Sequence, residues 1–247
     1  GSVDLTIGVS NTHIVGHAGK ILALVESSFP CELTPDLETV GPYDFSGRLN
    51  SPMTAHPKTC PITGEMHFFG YGFFEPYLTY TRVSADGELV QTEVIDVPGP
   101  TMIHDFAITD RHVIFMDLPV VFDFERAMKG GMPYRWYDDY GARIGVMPRN
   151  ARGVQPTWFD VDPCYVFHPM NSFDVLGDDG AMTHVVLDSA RYPELWRQDS
   201  AGFKNDAALH RWILDLAKGS VQEEPLDDRD IEFPRVADEW VGLVYRF

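Results

Sequence analysis

The amino-acid sequence predicts an all-β protein, and three observations carry that expectation. Short apolar or alternating runs recur along the 247 residues, turn residues punctuate them, and helical signals are few and short. In order, the runs are 21–25, 66–71, 77–83, 89–97, 112–117, 164–167 and 182–187. Between them stand Thr63-Gly64, Ala85-Asp86-Gly87 and Gly177-Asp178-Asp179-Gly180, residue types that tolerate left-handed backbone or bond their own chain. Residues 124–129 predict one turn of helix, while 205–217 fits either helix or strand. No exact repeat, low-complexity tract or linker divides the chain. The pattern therefore predicts one domain over 1–247 with many short antiparallel strands, arranged as a sandwich or a propeller.

Composition narrows the function. With 44% hydrophobic and 13% aromatic residues the chain can bury a sizeable core, which excludes disorder. A net charge of −18 excludes a nucleic-acid partner, because phosphate binding needs clustered Lys and Arg. Cys31, Cys60 and Cys164 are odd in number, scattered and without CxxC spacing, so neither a disulfide framework nor a zinc site is expected and a reducing cytoplasm fits. No apolar run approaches the roughly 20 residues of a membrane span, and residues 1–4 lack the features of a signal peptide.

Nine histidines occur, and most are ordinary surface or core residues. Three differ in context: His56 in Thr54-Ala55-His56-Pro57-Lys58, His104 in Met102-Ile103-His104-Asp105-Phe106, and His168 in Tyr165-Val166-Phe167-His168-Pro169-Met170-Asn171. Each lies at or near the end of an apolar run. Their wide separation excludes a local chelate of the HExxH kind, in which two ligands share a helix face. As metal ligands they would come from separate strand units.

The strings TAHPK, MIHDFAIT and CYVFHPMNSFD resemble three of the four histidine motifs of the carotenoid cleavage oxygenases, in the same order. Residues 11–26 and 33–41 resemble the approach to the first ligand, and the similarity weakens around 175–228. The resemblance implies part of a seven-bladed β-propeller with Fe(II) on its axis, held by histidines without a ligating carboxylate. It makes His56, His104 and His168 metal ligands, and Glu26 and Glu232 (in Ile231-Glu232-Phe233-Pro234-Arg235) the carboxylates that orient them. The family's fourth histidine and a third glutamate lie beyond the EFPR string. The resemblance therefore makes this chain an internal piece, lacking the first blade or so and the C-terminal blades. Such a piece is expected to be inactive alone and to need its missing blades or another chain to cover open strand edges.

The implied reaction is cleavage of a carbon–carbon double bond in a carotenoid or apocarotenoid by dioxygen, giving aldehyde or ketone products. No acid–base residue is demanded. Most aromatics of 68–80 read as core packing, with Phe69, and Phe173 farther on, as candidates for the wall of an apolar substrate tunnel. Three alternatives stand beside this one. A lignostilbene-type dioxygenase would carry a lysine before the first glutamate, where this chain has Val25. A retinoid isomerase fits less well with the short stretches between motifs. A non-enzymatic propeller interaction module explains the strands but not the coincidence of motifs. The resemblance also allows peripheral contact with the inner membrane from the cytoplasm, since carotenoids reside in lipid, although no basic amphipathic segment predicts it independently.

Overall fold

The structure is a computed structural model that describes residues 3–178, 180–197 and 206–245; Asp179 of the predicted turn and Asn205 of the ambiguous segment lie outside them. The chain forms two compact units, residues 1–98 and 99–247.

The first unit holds two four-stranded antiparallel sheets, each following chain order. One comprises β1 (His13–His17), β2 (Lys20–Leu24), β3 (Cys31–Leu33) and β4 (Thr39–Pro42); the other comprises β5 (Lys58–Thr59), β6 (Met66–Tyr71), β7 (Leu78–Val83) and β8 (Leu89–Val94). The predicted run 66–71 coincides with β6, 21–25 is shifted by one residue in β2, and 77–83 and 89–97 shorten to β7 and β8. Gly87, at φ +87, closes the β7–β8 turn with its N–H on the Ser84 carbonyl at 2.9 Å. Leu22 and Leu24 of β2 pack with Met66 and Phe68 of β6, Val83, Leu89 and the loop residues Phe45, Leu49, Met53 and Ala55. Burying each large side chain there contributes about 1.5–3 kcal/mol. Side chains alternate along a strand, so His67, Phe69 and Tyr71 take the other face of β6.

The second unit begins with β9 (Ala107–Ile108) and β10 (His112–Asp117). An excursion follows, made of β11 (Val120–Phe122), α1 (Phe124–Met128) and β12 (Tyr134–Trp136), before the sheet resumes with β13 (Arg143–Pro148) and β14 (Thr157–Asp160). The predicted helical turn is α1, capped by the Asp123 carboxylate on the Arg126 N–H at 3.0 Å. The last sheet runs β15 (Tyr165–Leu176), β16 (Met182–Tyr192), β17 (Ala208–Asp215) and β18 (Ser220–Pro225) in chain order. The segment 205–217, open on sequence grounds, is therefore mostly the strand β17, whose Trp212 and Leu214 enter the core with Val185, Leu187 and Tyr192.

Two predicted runs are much too short. The run 164–167 stops where β15 turns polar, yet Ser172 and Asp174 are paired: Ser172 donates to the Ile108 carbonyl at 2.7 Å, and Asp174 meets His112 Nδ1 at 2.9 Å. The run 182–187 likewise stops before Asp188, which is fully buried and held by Arg211 Nε at 2.7 Å and by the Tyr245 hydroxyl. Buried polar groups persist only when bonded, and such pairs erase the alternation that marks a strand. Among the described residues, four antiparallel four-stranded sheets, each built in chain order, form the blade pattern of a propeller and bear out the all-β expectation.

Asn171 ties β15 to the chain end. Its amide donates to the carbonyls of Trp240 at 3.1 Å and Leu243 at 3.0 Å, and accepts from the Gly242 N–H at 2.9 Å. Asn171→Ala is expected to cost about 3 kcal/mol, with three bonds lost at about 1 kcal/mol each. A urea midpoint unchanged from wild type would refute that role.

Candidate metal centre

Each of the three singled-out histidines sits at the first strand of a sheet. His56 precedes β5, His104 precedes β9, and His168 lies within β15.

In the first unit, His56 ends a segment fixed from several sides. The Met53 N–H bonds the Ser28 carbonyl at 3.1 Å and the Thr54 N–H bonds the Phe69 carbonyl at 2.8 Å. The Thr54 hydroxyl then accepts the His56 N–H at 3.1 Å. His13 Nδ1 donates to the Ala55 carbonyl at 2.8 Å, a role that no sequence pattern marks. The segment lies so close to β6 that only glycine fits at position 70, where an added Cβ would stand 2.2 Å from the Pro52 carbonyl oxygen. Gly70→Ala must push this segment off the strand. A loss of about 1–3 kcal/mol is expected from such overpacking, read by thermal denaturation, and an unaltered melting curve would dismiss the close-approach argument.

Glu26 lies just after β2 and accepts a hydrogen bond from the Tyr71 hydroxyl at 2.7 Å. Phe69 is 0% exposed, on the same face of β6 as Tyr71, with the two rings 6.1 Å apart.

In the second unit, His104 and His168 come together. Their Nε2 atoms are 3.2 Å apart and their rings meet edge to face at 4.9 Å. Metal–imidazole bonds of about 2.1 Å would hold two nitrogens about 3.0 Å apart at a right angle and about 3.4 Å at the tetrahedral angle, so this spacing fits two ligands of one ion. Neutral imidazoles suit iron, zinc, copper or nickel.

Glu232 sets the orientation of His168, whose Nδ1–H donates to Glu232 Oε2 at 2.7 Å. That bond leaves Nε2 with its lone pair directed away from the carboxylate, as a ligating imidazole requires. The same oxygen accepts the Phe233 N–H at 2.7 Å, and the Tyr192 hydroxyl also donates to this carboxylate. Burial pushes the Glu232 carboxyl up, but the bonds from His168, Phe233 and Tyr192 outweigh it and hold the group below its ordinary value. Burial and then Glu232 push the Tyr192 phenol up, keeping it a donor. Phe167 packs edge-on to His104 at 5.3 Å, and Phe233 lies over the His168 ring at 4.1 Å. Phe233 adopts φ +52, a left-handed conformation that costs a bulky residue about 1–2 kcal/mol.

The structure thus brings His104, His168 and Glu232 together in one unit, and in the other places Glu26 on Tyr71. Phe173 stands 6.0 Å from the Tyr245 ring and under the Arg211 guanidinium. Tyr71, Tyr192 and Phe233 escape sequence reading because an aromatic in a strand or beside a proline signals packing first.

Known proteins resemble this arrangement over nearly the whole chain. The family model described as retinal pigment epithelial membrane protein matches residues 4–247. A carotenoid cleavage oxygenase of Mycobacterium tuberculosis is 36% identical over 97% of this chain and 56% of its own length. A carotenoid 9,10(9',10')-cleavage dioxygenase of Arabidopsis thaliana is 35% identical over 97% and 46%. Among solved structures, the lignostilbene dioxygenase of Pseudomonas brassicacearum superposes with a TM-score of 0.85 at 33% identity, covering 96% of this chain and 52% of that one. Cobalt-substituted Synechocystis ACO follows at a TM-score of 0.82 and 28% identity, covering 96% and 53%. The chain spans about half the length of these relatives. It belongs to the retinal pigment epithelial membrane protein family, the β-propeller family of the carotenoid cleavage oxygenases.

Proposed function

We propose that this chain is the central part of a dioxygenase that cleaves a carbon–carbon double bond of a carotenoid or apocarotenoid, and that its two units are blades of a single propeller domain over 1–247. The observation that carries this reading is the pair of imidazole nitrogens at 3.2 Å with Glu232 behind one of them, in a chain of this family. His56, from the first unit, joins His104 and His168 as the third ligand of an Fe(II) ion on the propeller axis, with Glu26 as its orienting carboxylate. A fourth histidine comes from outside these residues. Bound Fe(II) supplies a site for dioxygen, and both oxygen atoms end in the two carbonyl products.

The chain's own residues then have two tasks. His168, fixed by Glu232, and His104 hold the ion without adding negative charge. Phe69 contributes to an apolar wall that seats a rigid polyene by burying its surface, a role we extend to Phe173. Exposed apolar side chains on the excursion between β10 and β13, Phe124, Met132 and above all Met128 at 86% exposure, support peripheral membrane contact. No helix among the described residues is long and apolar enough to cross a membrane.

A stilbenoid substrate is the second reading, favoured by the superposition on the lignostilbene dioxygenase. Val25 before Glu26 argues against it, since an apolar residue offers nothing to a phenolic oxygen. Incubating the intact iron-loaded protein with an apocarotenal and with a hydroxystilbene separates the two. Oxygen uptake with aldehyde formation from the apocarotenal is expected. Rapid stilbene loss with the apocarotenal untouched would reverse the assignment, and an intact protein that never retains iron would remove the enzyme reading in favour of an interaction module.

A further inference from the structure

We propose that Phe233 is a positioning residue for the metal centre, one that fixes the plane of the His168 imidazole; this rests on the metal reading above. Glu232 alone cannot fix that plane. A single bond from Nδ1 to Oε2 defines a direction, and the ring can still tilt about the line joining the two atoms. Tilting swings Nε2 away from the point it shares with His104 Nε2.

Phe233 closes this freedom in two ways at once. Its ring lies over the imidazole with centroids 4.1 Å apart and planes 27° apart, so rotation of His168 toward it meets a flat wall. Its backbone N–H grips the same Glu232 oxygen that holds His168. The ring contact goes with the left-handed backbone at φ +52, which turns the side chain back over its own neighbour. Packing among the described residues does not explain that conformation, because Phe233 remains 68% exposed. Strain held by a bulky residue beside a histidine–carboxylate hydrogen bond is the kind of outlier that functional geometry sustains.

Phe233→Gly separates ring from backbone. Glycine accepts the left-handed conformation freely and keeps the N–H, so the fold and the Glu232 clamp survive while the wall is lost. In the intact protein, cobalt(II) titration is expected to give about tenfold weaker binding for Phe233→Gly, within the range for partners that act through a ligand. The visible cobalt absorption band should also shift, reporting altered ligand geometry. Phe233→Tyr should restore both affinity and band to near wild type, and the melting temperature of Phe233→Gly should not fall. Wild-type affinity and an unshifted band in Phe233→Gly would overturn the proposal. If the wild-type protein itself takes up no cobalt, the metal reading fails and this inference falls with it.

Discussion

Replacing His168 with alanine is expected to strip the intact protein of retained iron, weakening metal binding by more than about 100-fold and abolishing polyene cleavage. The magnitude follows from a comparison: partners that merely orient a ligand are worth 10–100-fold in affinity, so loss of the ligand itself should exceed that range. The substitution also acts on the fold. Glu232 would keep the Phe233 N–H and the Tyr192 hydroxyl but lose its imidazole donor, and Phe233 would lose the ring it covers. A hydrogen bond to a charged group contributes about 1.5–3 kcal/mol, so the urea midpoint should fall as well. His184→Ala is the matched control, because His184 pairs with Asp215 at 3.5 Å on the second and third strands of its sheet. Metal analysis after desalting decides the matter. Full iron occupancy in His168→Ala would end the assignment of His168 as a ligand.

Much of this fold was legible in the sequence where burial alone decides the residue types. The run 66–71 coincides with β6 because nearly all of its residues are buried, four of its six are large apolar or aromatic, and turns flank it. The second halves of β15 and β16 were not legible, because Ser172, Asp174 and Asp188 are buried with partners such as His112 and Arg211 that are distant in sequence. The same physics divides the candidate site. His104, His168 and Glu232 stand in strings whose order carries the family resemblance, and the structure brings them within bonding distance. The devices that hold them, such as the Phe233 backbone, the Gly70 approach and the His13 bond to Ala55, depend on conformation and proximity, which no local pattern encodes.

Glu232→Gln tests whether the carboxylate acts through its charge or only through its shape. Glutamine keeps an oxygen that can accept both the His168 and Phe233 donors, so the folded structure should persist. It loses the negative charge that raises the basicity of the imidazole, and metal affinity should fall 10–100-fold. The pH dependence of stability gives an independent reading. Burial raises the Glu232 carboxyl and the three donors lower it more, so the folded value lies below the ordinary 4.5. A carboxyl depressed on folding stabilises the protein above its unfolded pKa, and that contribution is lost as pH falls through the folded value. Metal-free wild type should therefore weaken in urea as the pH is lowered from about 6 to about 3, and Glu232→Gln should weaken less steeply over that interval, since one proton-linked group is gone. Parallel slopes for the two proteins would mean that Glu232 carries no depressed carboxylate. Parallel slopes together with wild-type metal affinity would leave His168 oriented by Phe233 and the strand alone.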